Sequence, residues 1–289
     1  MCLLVVISRL DSGTPLVVGA NRDERLDRPA TAMTVLRHTD PRVLGGRDHE
    51  AGGTWLAVNE HGVVAGLTNR PAPEGRDPTR RSRGELPLAL AQHPDAASAV
   101  KSFVARFRPT NYNPSWLLVG DRRSLFVIDM TASDRPHATP LGPGVHILEN
   151  KPFGAPSAKV DYVRALLGDI ARSEPDGTVG RLEQVLADHT IPPGAFSESD
   201  EVLKSDGVVK SDDPRASPAQ PGDPATRAPD ATPSRPLETL AACVHTESYG
   251  TRSSTIAAIQ ADPAIRPAVT VADGHPCTSR FIDVSTLWE

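Results

Sequence analysis

Apolar and polar positions along the chain fall into short blocks separated by turn residues. Cys2–Ser8 is apolar and rich in branched side chains, Asp11-Ser12-Gly13 breaks the run, and Leu16–Asn21 resumes it. Two such runs about a compact polar turn predict a β-hairpin. The arrangement recurs twice: Thr54–Asn59 and Val63–Asn69 flank Asn59-Glu60-His61-Gly62, and Trp116–Val119 and Leu125–Met130 flank Gly120-Asp121-Arg122-Arg123. A helical period takes over in Gly84–Gln92, Ala96–Phe107, Ser157–Ala171 and Val179–Asp188, where apolar residues return every three or four positions. Near the C-terminus, Ala241–Glu247, Ser253–Ala261 and Ser279–Val284 read again as strands. Strands, helices, strands, helices and strands in that order predict an α+β fold, with two packed antiparallel sheets and helices outside them.

One stretch fits none of these patterns. Ser211–Pro236 has a proline every few residues and almost no large apolar side chain. Residues 197–236 are therefore expected to be a disordered proline-rich insertion or linker within a single domain spanning 1–289. Composition narrows the function. The formal charge of −5 and the absence of any long Lys/Arg block argue against nucleic acid or an anionic membrane as the main partner. The apolar run Leu3–Ile7 is too short for a signal peptide core or a membrane span. Three scattered cysteines make no disulfide framework, so a reducing compartment, the cytoplasm, is expected.

No phosphate loop, dinucleotide fingerprint, nucleophile elbow or zincin motif is present. Cys243-x-His245 and His275-x-Cys277 would each place both side chains on one face of a strand. That spacing is unlike the usual structural zinc patterns, so the four are read as ordinary thiols and surface histidines, with no metal or cofactor implied. Cys2 offers different chemistry. Removal of Met1 would leave a thiol and an α-amine on one residue, and an amine with a pKa of about 8 can take the thiol's proton near neutral pH. The Asp11-Ser12-Gly13 turn folds Gly19-Ala20-Asn21-Arg22-Asp23-Glu24 back beside Cys2, where a carboxylate can hold an amine and a guanidinium can hold an anion.

Met1-Cys2-Leu3-Leu4 followed by Asn21-Arg22-Asp23-Glu24 and Arg28-Pro29-Ala30 resembles the signature of the NRDE family, also called the transport and Golgi organization protein 2 family. Gly52–Asn59, Gly62–Arg70, Ser82-Arg83-Gly84-Glu85-Leu86 and Tyr249–Thr255 resemble further blocks of that family. More distantly, the same blocks are similar to the cholylglycine hydrolase and penicillin V acylase group of N-terminal nucleophile hydrolases. That resemblance implies a four-layer αββα sandwich and cleavage of a C–N bond through an acyl-cysteine. It also implies roles: Cys2 as nucleophile, Asp23 holding its amine, Asn69 and Asn150 forming the oxyanion hole, and Arg252 as a late site arginine. Where those hydrolases carry an arginine, position 20 here is alanine, and Arg22, two residues on along the same strand face, is the expected substitute. Trp55 is expected to line an acyl pocket.

The resemblance leaves two functions open. One is an amidohydrolase acting on a small amide or acyl substrate. The other is a non-catalytic carrier of haem, lipid or acyl-coenzyme A on the same scaffold, in which Cys2 is a ligand contact and Met33 or a histidine a second haem ligand.

Overall fold

A computed structural model describes residues 2–72, 75–131, 134–170, 175–193 and 236–289. The first predicted hairpin is present as β1 (Cys2–Ser8) and β2 (Leu16–Arg25), with Cys2 opposite Arg22 and Leu4 opposite Ala20. β1 is buried throughout because it is covered on both faces. Leu3, Val5 and Ile7 pack toward helices, while Leu4 and Val6 pack toward a second sheet. A strand with one wet face would alternate polar and apolar residues; this one is a continuous apolar run, and its double burial is the reason.

β3 (Ala30–Arg37), β4 (Val43–Asp48), β5 (Leu56–Asn59), β6 (Val64–Asn69), β7 (Ser115–Gly120), β8 (Leu125–Asp129) and β9 (His137–Pro140) form one antiparallel sheet in sequence order. β10 (Gly144–Leu148), β1, β2, β11 (Tyr249–Ile259), β12 (Ala268–Asp273) and β13 (Ile282–Asp283) form the other, in that spatial order. The two sheets share a core that includes Leu4, Val18, Leu56, Val58, Leu118 and Ile259. Outside the larger sheet lie α1 (Glu85–Leu90) and α2 (Ala96–Arg106), and outside the smaller sheet α3 (Ala158–Leu167) and α4 (Pro175–Ala187), each pair with its own apolar core. The result is the expected αββα sandwich. Two of the helix starts are fixed by side chains: Asp95 accepts from the Ser98 amide and Ser157 from the Val160 amide.

Three expectations need correction. Ala241–Glu247 is not a strand; only His245 pairs there, in an isolated bridge with Gly250. Ser279–Val284 contributes two strand residues, not six. β3, β4, β9, β10 and β12 add strands where none was expected; β4 contains Gly45-Gly46, a pair that weakens any propensity-based reading. The proline-rich stretch expected over 197–236 lies, apart from Pro236, outside the described residues.

Candidate active site

The start of β1 and the end of β2 meet the ends of β5 and β6 in the larger sheet at a cleft of about 270 Å³ lined by Cys2, Arg22, Asp23, Trp55, Leu67 and Asn69, among others. Alternation along β2 divides the Asn21-Arg22-Asp23-Glu24 signature between the two faces of its sheet. Arg22, in phase with Val18 and Ala20, points between the sheets. Asn21 points to the helix side, where its Nδ2 donates to the carbonyls of Leu186 and Ala242. That second face secures β2 against α4 and the segment leading into β11.

Cys2 is 9% exposed, and burial pushes its thiol above the ordinary range. Its backbone N–H donates to Asn150 Oδ1 at 3.1 Å, and the Asn150 amide donates in turn to the Asn69 carbonyl. Asn150 thus bridges the two sheets at the Cys2 backbone nitrogen. Arg22 is 4% exposed, and its two terminal nitrogens have no hydrogen-bond acceptor. The guanidinium lies 4.4 Å from the Trp55 ring and 3.7 Å from Asp48 Oδ2. Burial lowers its pKa, but an arginine stays charged in proteins. The energetic consequence is a cation short of acceptors at the cleft, which an anion would satisfy.

Asp23 is buried. Its Oδ1 accepts from Thr251 Oγ1 at 2.6 Å, and its Oδ2 is 4.0 Å from Lys159 Nζ. Burial raises its pKa, with Lys159 opposing. Thr251 reaches it because β11 bulges between Thr251, opposite Asp23, and Ser253, opposite Arg22. A bulge leaves its extra residue unpaired and turns that side chain in a new direction.

Arg252, the extra residue of that bulge, is placed differently from the expectation. Its Nη1 donates to the carbonyls of Arg25, Leu26 and Arg28, and it is not among the residues lining the cleft. It clamps the turn after β2 and so positions Arg28. Asn150 likewise touches Cys2 and Asn69 without lining the cleft. Trp55 does line it, with its indole packed against Gly46: a Cβ at Gly46 would fall 1.9 Å from the ring. Met33 packs with the core between the sheets, and among the described residues lining the cleft there is no histidine to join Cys2 around a haem.

Two features were not anticipated. Lys159, 2% exposed, shares a buried face of α3 with Val163 and Leu167. Its positions i, i+4 and i+8 on one apolar stripe could have signalled it. The rim is also strongly basic: Arg22, Arg28, Arg76, Arg80, Arg81 and Arg83 line the cleft against Asp23, Glu24 and Asp48. Burial lowers Arg83 to about 10. The rim loop is held by a close backbone crossing, Thr54 N–H donating to the Gly84 carbonyl, and a Cβ at Gly53 would meet the Gly84 Cα at 2.5 Å.

The model of the family described as Transport and Golgi organisation 2 matches residues 1–267. The Transport and Golgi organization protein 2 homolog of Bos taurus is 30% identical over 257 residues, covering 86% of this chain and 83% of its own. Among solved structures, a variant of conjugated bile acid hydrolase from Clostridium perfringens is similar with a TM-score of 0.48 at 13% identity, over 100% of this chain and 94% of that one. The Caenorhabditis elegans ortholog of N-acylethanolamine-hydrolyzing acid amidase is similar with a TM-score of 0.47 at 13% identity, over 63% and 85%. No described helix is long and apolar enough to cross a membrane.

Proposed function

The chain belongs to the Transport and Golgi organisation 2 family, and from that premise and the geometry of the cleft we propose that it is an N-terminal-nucleophile hydrolase cleaving the amide bond of a small substrate that carries a negative group. The observation that carries this reading is the placement of Cys2: its nitrogen is 3.1 Å from Asn150 Oδ1, its strand partner is Arg22, and Asp23 is buried on the adjoining strand. With the peptide bond before Cys2 intact, the thiol is high and buried. Once Met1 is cleaved away, an α-ammonium on the same residue pulls the thiol down and can accept its proton.

In this reading the Cys2 thiol gives its proton to the α-amine, and the thiolate attacks the substrate carbonyl carbon. The C=O electron pair moves onto oxygen, where the Asn69 backbone N–H and the Asn150 amide N–H not used by the Asn69 carbonyl would hold it; one such donor contributes about 3 kcal/mol to the transition state. The α-ammonium then protonates the leaving nitrogen as the C–N bond breaks, leaving a thioester on Cys2. Water attacks the thioester, gives a proton to the α-amine and expels the thiolate. Asp23 and Asn150 fix the amine, and Arg22 and its basic rim bind the anionic group. No metal or organic cofactor enters these steps. The three cysteines are unpaired thiols, which fits work in the cytoplasm.

Intact-mass measurement of the purified chain, with peptide mapping after a brief iodoacetamide treatment at pH 7, tests the proposal. The chain is expected to begin at Cys2, and Cys2 to alkylate faster than Cys243 and Cys277. Cys2→Ala is expected to abolish hydrolysis across an amide and thioester panel. Retained Met1 with an inert Cys2 overturns the hydrolase reading, and unchanged ligand affinity in Cys2→Ala with no turnover in the parent assigns the cleft to carriage instead.

A further inference from the structure

A second cluster of reactive side chains lies away from the cleft, where the segment after residue 236 runs into β11 and where β12 ends. Cys243 Sγ, Cys277 Sγ and His245 Nε2 form a triangle with edges of 3.9, 3.3 and 3.0 Å. A tetrahedral ion with bonds of about 2.3 Å to sulfur and about 2.0 Å to nitrogen needs ligand–ligand distances of roughly 3.3–3.8 Å, so the three atoms already approximate one face of such a tetrahedron. Two further imidazoles adjoin it. The His275 ring stacks on that of His245 at 4.0 Å, with its Nδ1 buried and lacking a hydrogen-bond partner, and the His189 ring meets His245 edge-on at 5.8 Å. One ligand atom each from Cys243, His245 and His275, and one each from His189, His245 and Cys277, lie within 4.8 Å of one another.

We propose that Cys243, His245 and Cys277, with a fourth ligand from His275 or His189, form a tetrahedral binding site for a single zinc ion. Sequence spacing hid the site because neither pair lies on a strand. Cys243 and His245 sit in an irregular run before β11, and His275 and Cys277 in the turn after β12. Two thiolates and two neutral imidazoles suit a borderline-soft divalent ion, and four protein ligands close the coordination sphere, as in structural rather than catalytic zinc sites. On binding, each thiol loses its proton to solvent and each sulfur donates a lone pair; no redox step is involved.

The position of the site gives the ion a structural purpose. Val244 N–H donates to Thr251 Oγ1, which donates to Asp23, and the Ala242 carbonyl accepts from Asn21. The Cys243 N–H donates to the Asp188 carbonyl at the end of α4. An ion on Cys243 and His245 therefore pins the segment that buttresses Asn21 and Asp23 from behind. With His189 as the fourth ligand it also joins the end of α4 to the segment before β11, alongside the Cys243–Asp188 hydrogen bond.

The test is metal analysis of the full chain purified without chelator from zinc-supplemented cells, together with the melting temperature before and after treatment with a strong chelator. About one zinc per chain is expected, falling below about a fifth in Cys243→Ser and Cys277→Ser and unchanged in Cys2→Ala. Chelation of the parent protein should lower its melting temperature, and added Zn²⁺ should restore it; this holds the proposal to account even if the serine variants fail to fold. Replacement of zinc by Co²⁺ should give the visible d–d bands of a tetrahedral site and a thiolate charge-transfer band that disappears in either serine variant. Zinc retained in both serine variants, or a metal-free parent two hydrogens lighter with Cys243 joined to Cys277, overturns it. None of these readouts depends on hydrolysis, so the proposal stands or falls separately from the assignment of the Cys2 cleft.

Discussion

Asp48 is where charge at the cleft is most sharply organised. Its carboxylate accepts from Arg28 Nε at 2.8 Å and from the backbone N–H groups of Glu50 and Ala51, with Arg22 at 3.7 Å. Burial works against the charged form, but the Arg28 hydrogen bond and the Ala51 amide outweigh it and hold the pKa below the usual carboxylate value. A folded-state pKa below the unfolded one adds stability at pH values above about 4, and that contribution disappears as pH falls through the folded-state value. Asp48→Asn is therefore expected to lower the melting temperature by about 2–4 °C at pH 7. The gap should narrow as the pH falls below about 4 and close once it is below the folded-state value, which paired thermal melts across pH would read directly. Little of this was legible in the sequence. Arg22 and Asp23 stood out because charges at the end of an apolar strand are conspicuous. Asp48 sits in unremarkable local sequence, and although the apolar stripe of α3 marks Lys159 as buried, only the crossing of distant elements brings Asp48 to Arg22 and Lys159 to Asp23.

Whole elements were more legible, because burial leaves a periodic record. β1, β2, β6, β7 and α2 follow directly from their apolar patterns, and their ends fall within a few residues of expectation. β3 and β4 were missed for a physical reason. β4 keeps Gly45-Gly46 in its middle because Trp55 lies against Gly46 and the Leu56 carbonyl against Gly45, so packing demands the residues that strand propensity disfavours. Gly46→Ala should thus drive the indole off β4 and out from under Arg22, at an overpacking cost of about 1–3 kcal/mol. Denaturant unfolding should show the loss, and Trp55→Phe combined with Gly46→Ala should recover most of it by opening room for the new methyl group. A Gly46→Ala protein as stable as its parent would show that the indole can move without penalty. The same logic explains the Ala241–Glu247 error: an apolar, β-branched stretch was held in an irregular path by its side-chain hydrogen bonds and by the neighbouring Cys and His residues.

At the scale of the molecule, a chain of net charge −5 surrounds a cleft with six arginines and three carboxylates on its lining. Locally reversed charge in a concave, low-dielectric setting raises the concentration of anions there and speeds their arrival. Association of an anionic substrate should accordingly slow as ionic strength rises from about 0.01 to 0.15 M, over which the screening length falls from about 30 to 8 Å. Uncharged analogues should show no such dependence in stopped-flow measurements. The αββα layering brings one more property with it. Trp116 and Trp288 are buried in the core between the sheets without lining the cleft, whereas Trp55 lines it with the Arg22 guanidinium 4.4 Å from its ring. Any anion that draws Arg22 aside changes the electric field on that indole and so the colour and yield of its emission. Trp55 emission should therefore report cleft occupancy, shifting on titration with an anionic ligand and staying fixed with a neutral analogue.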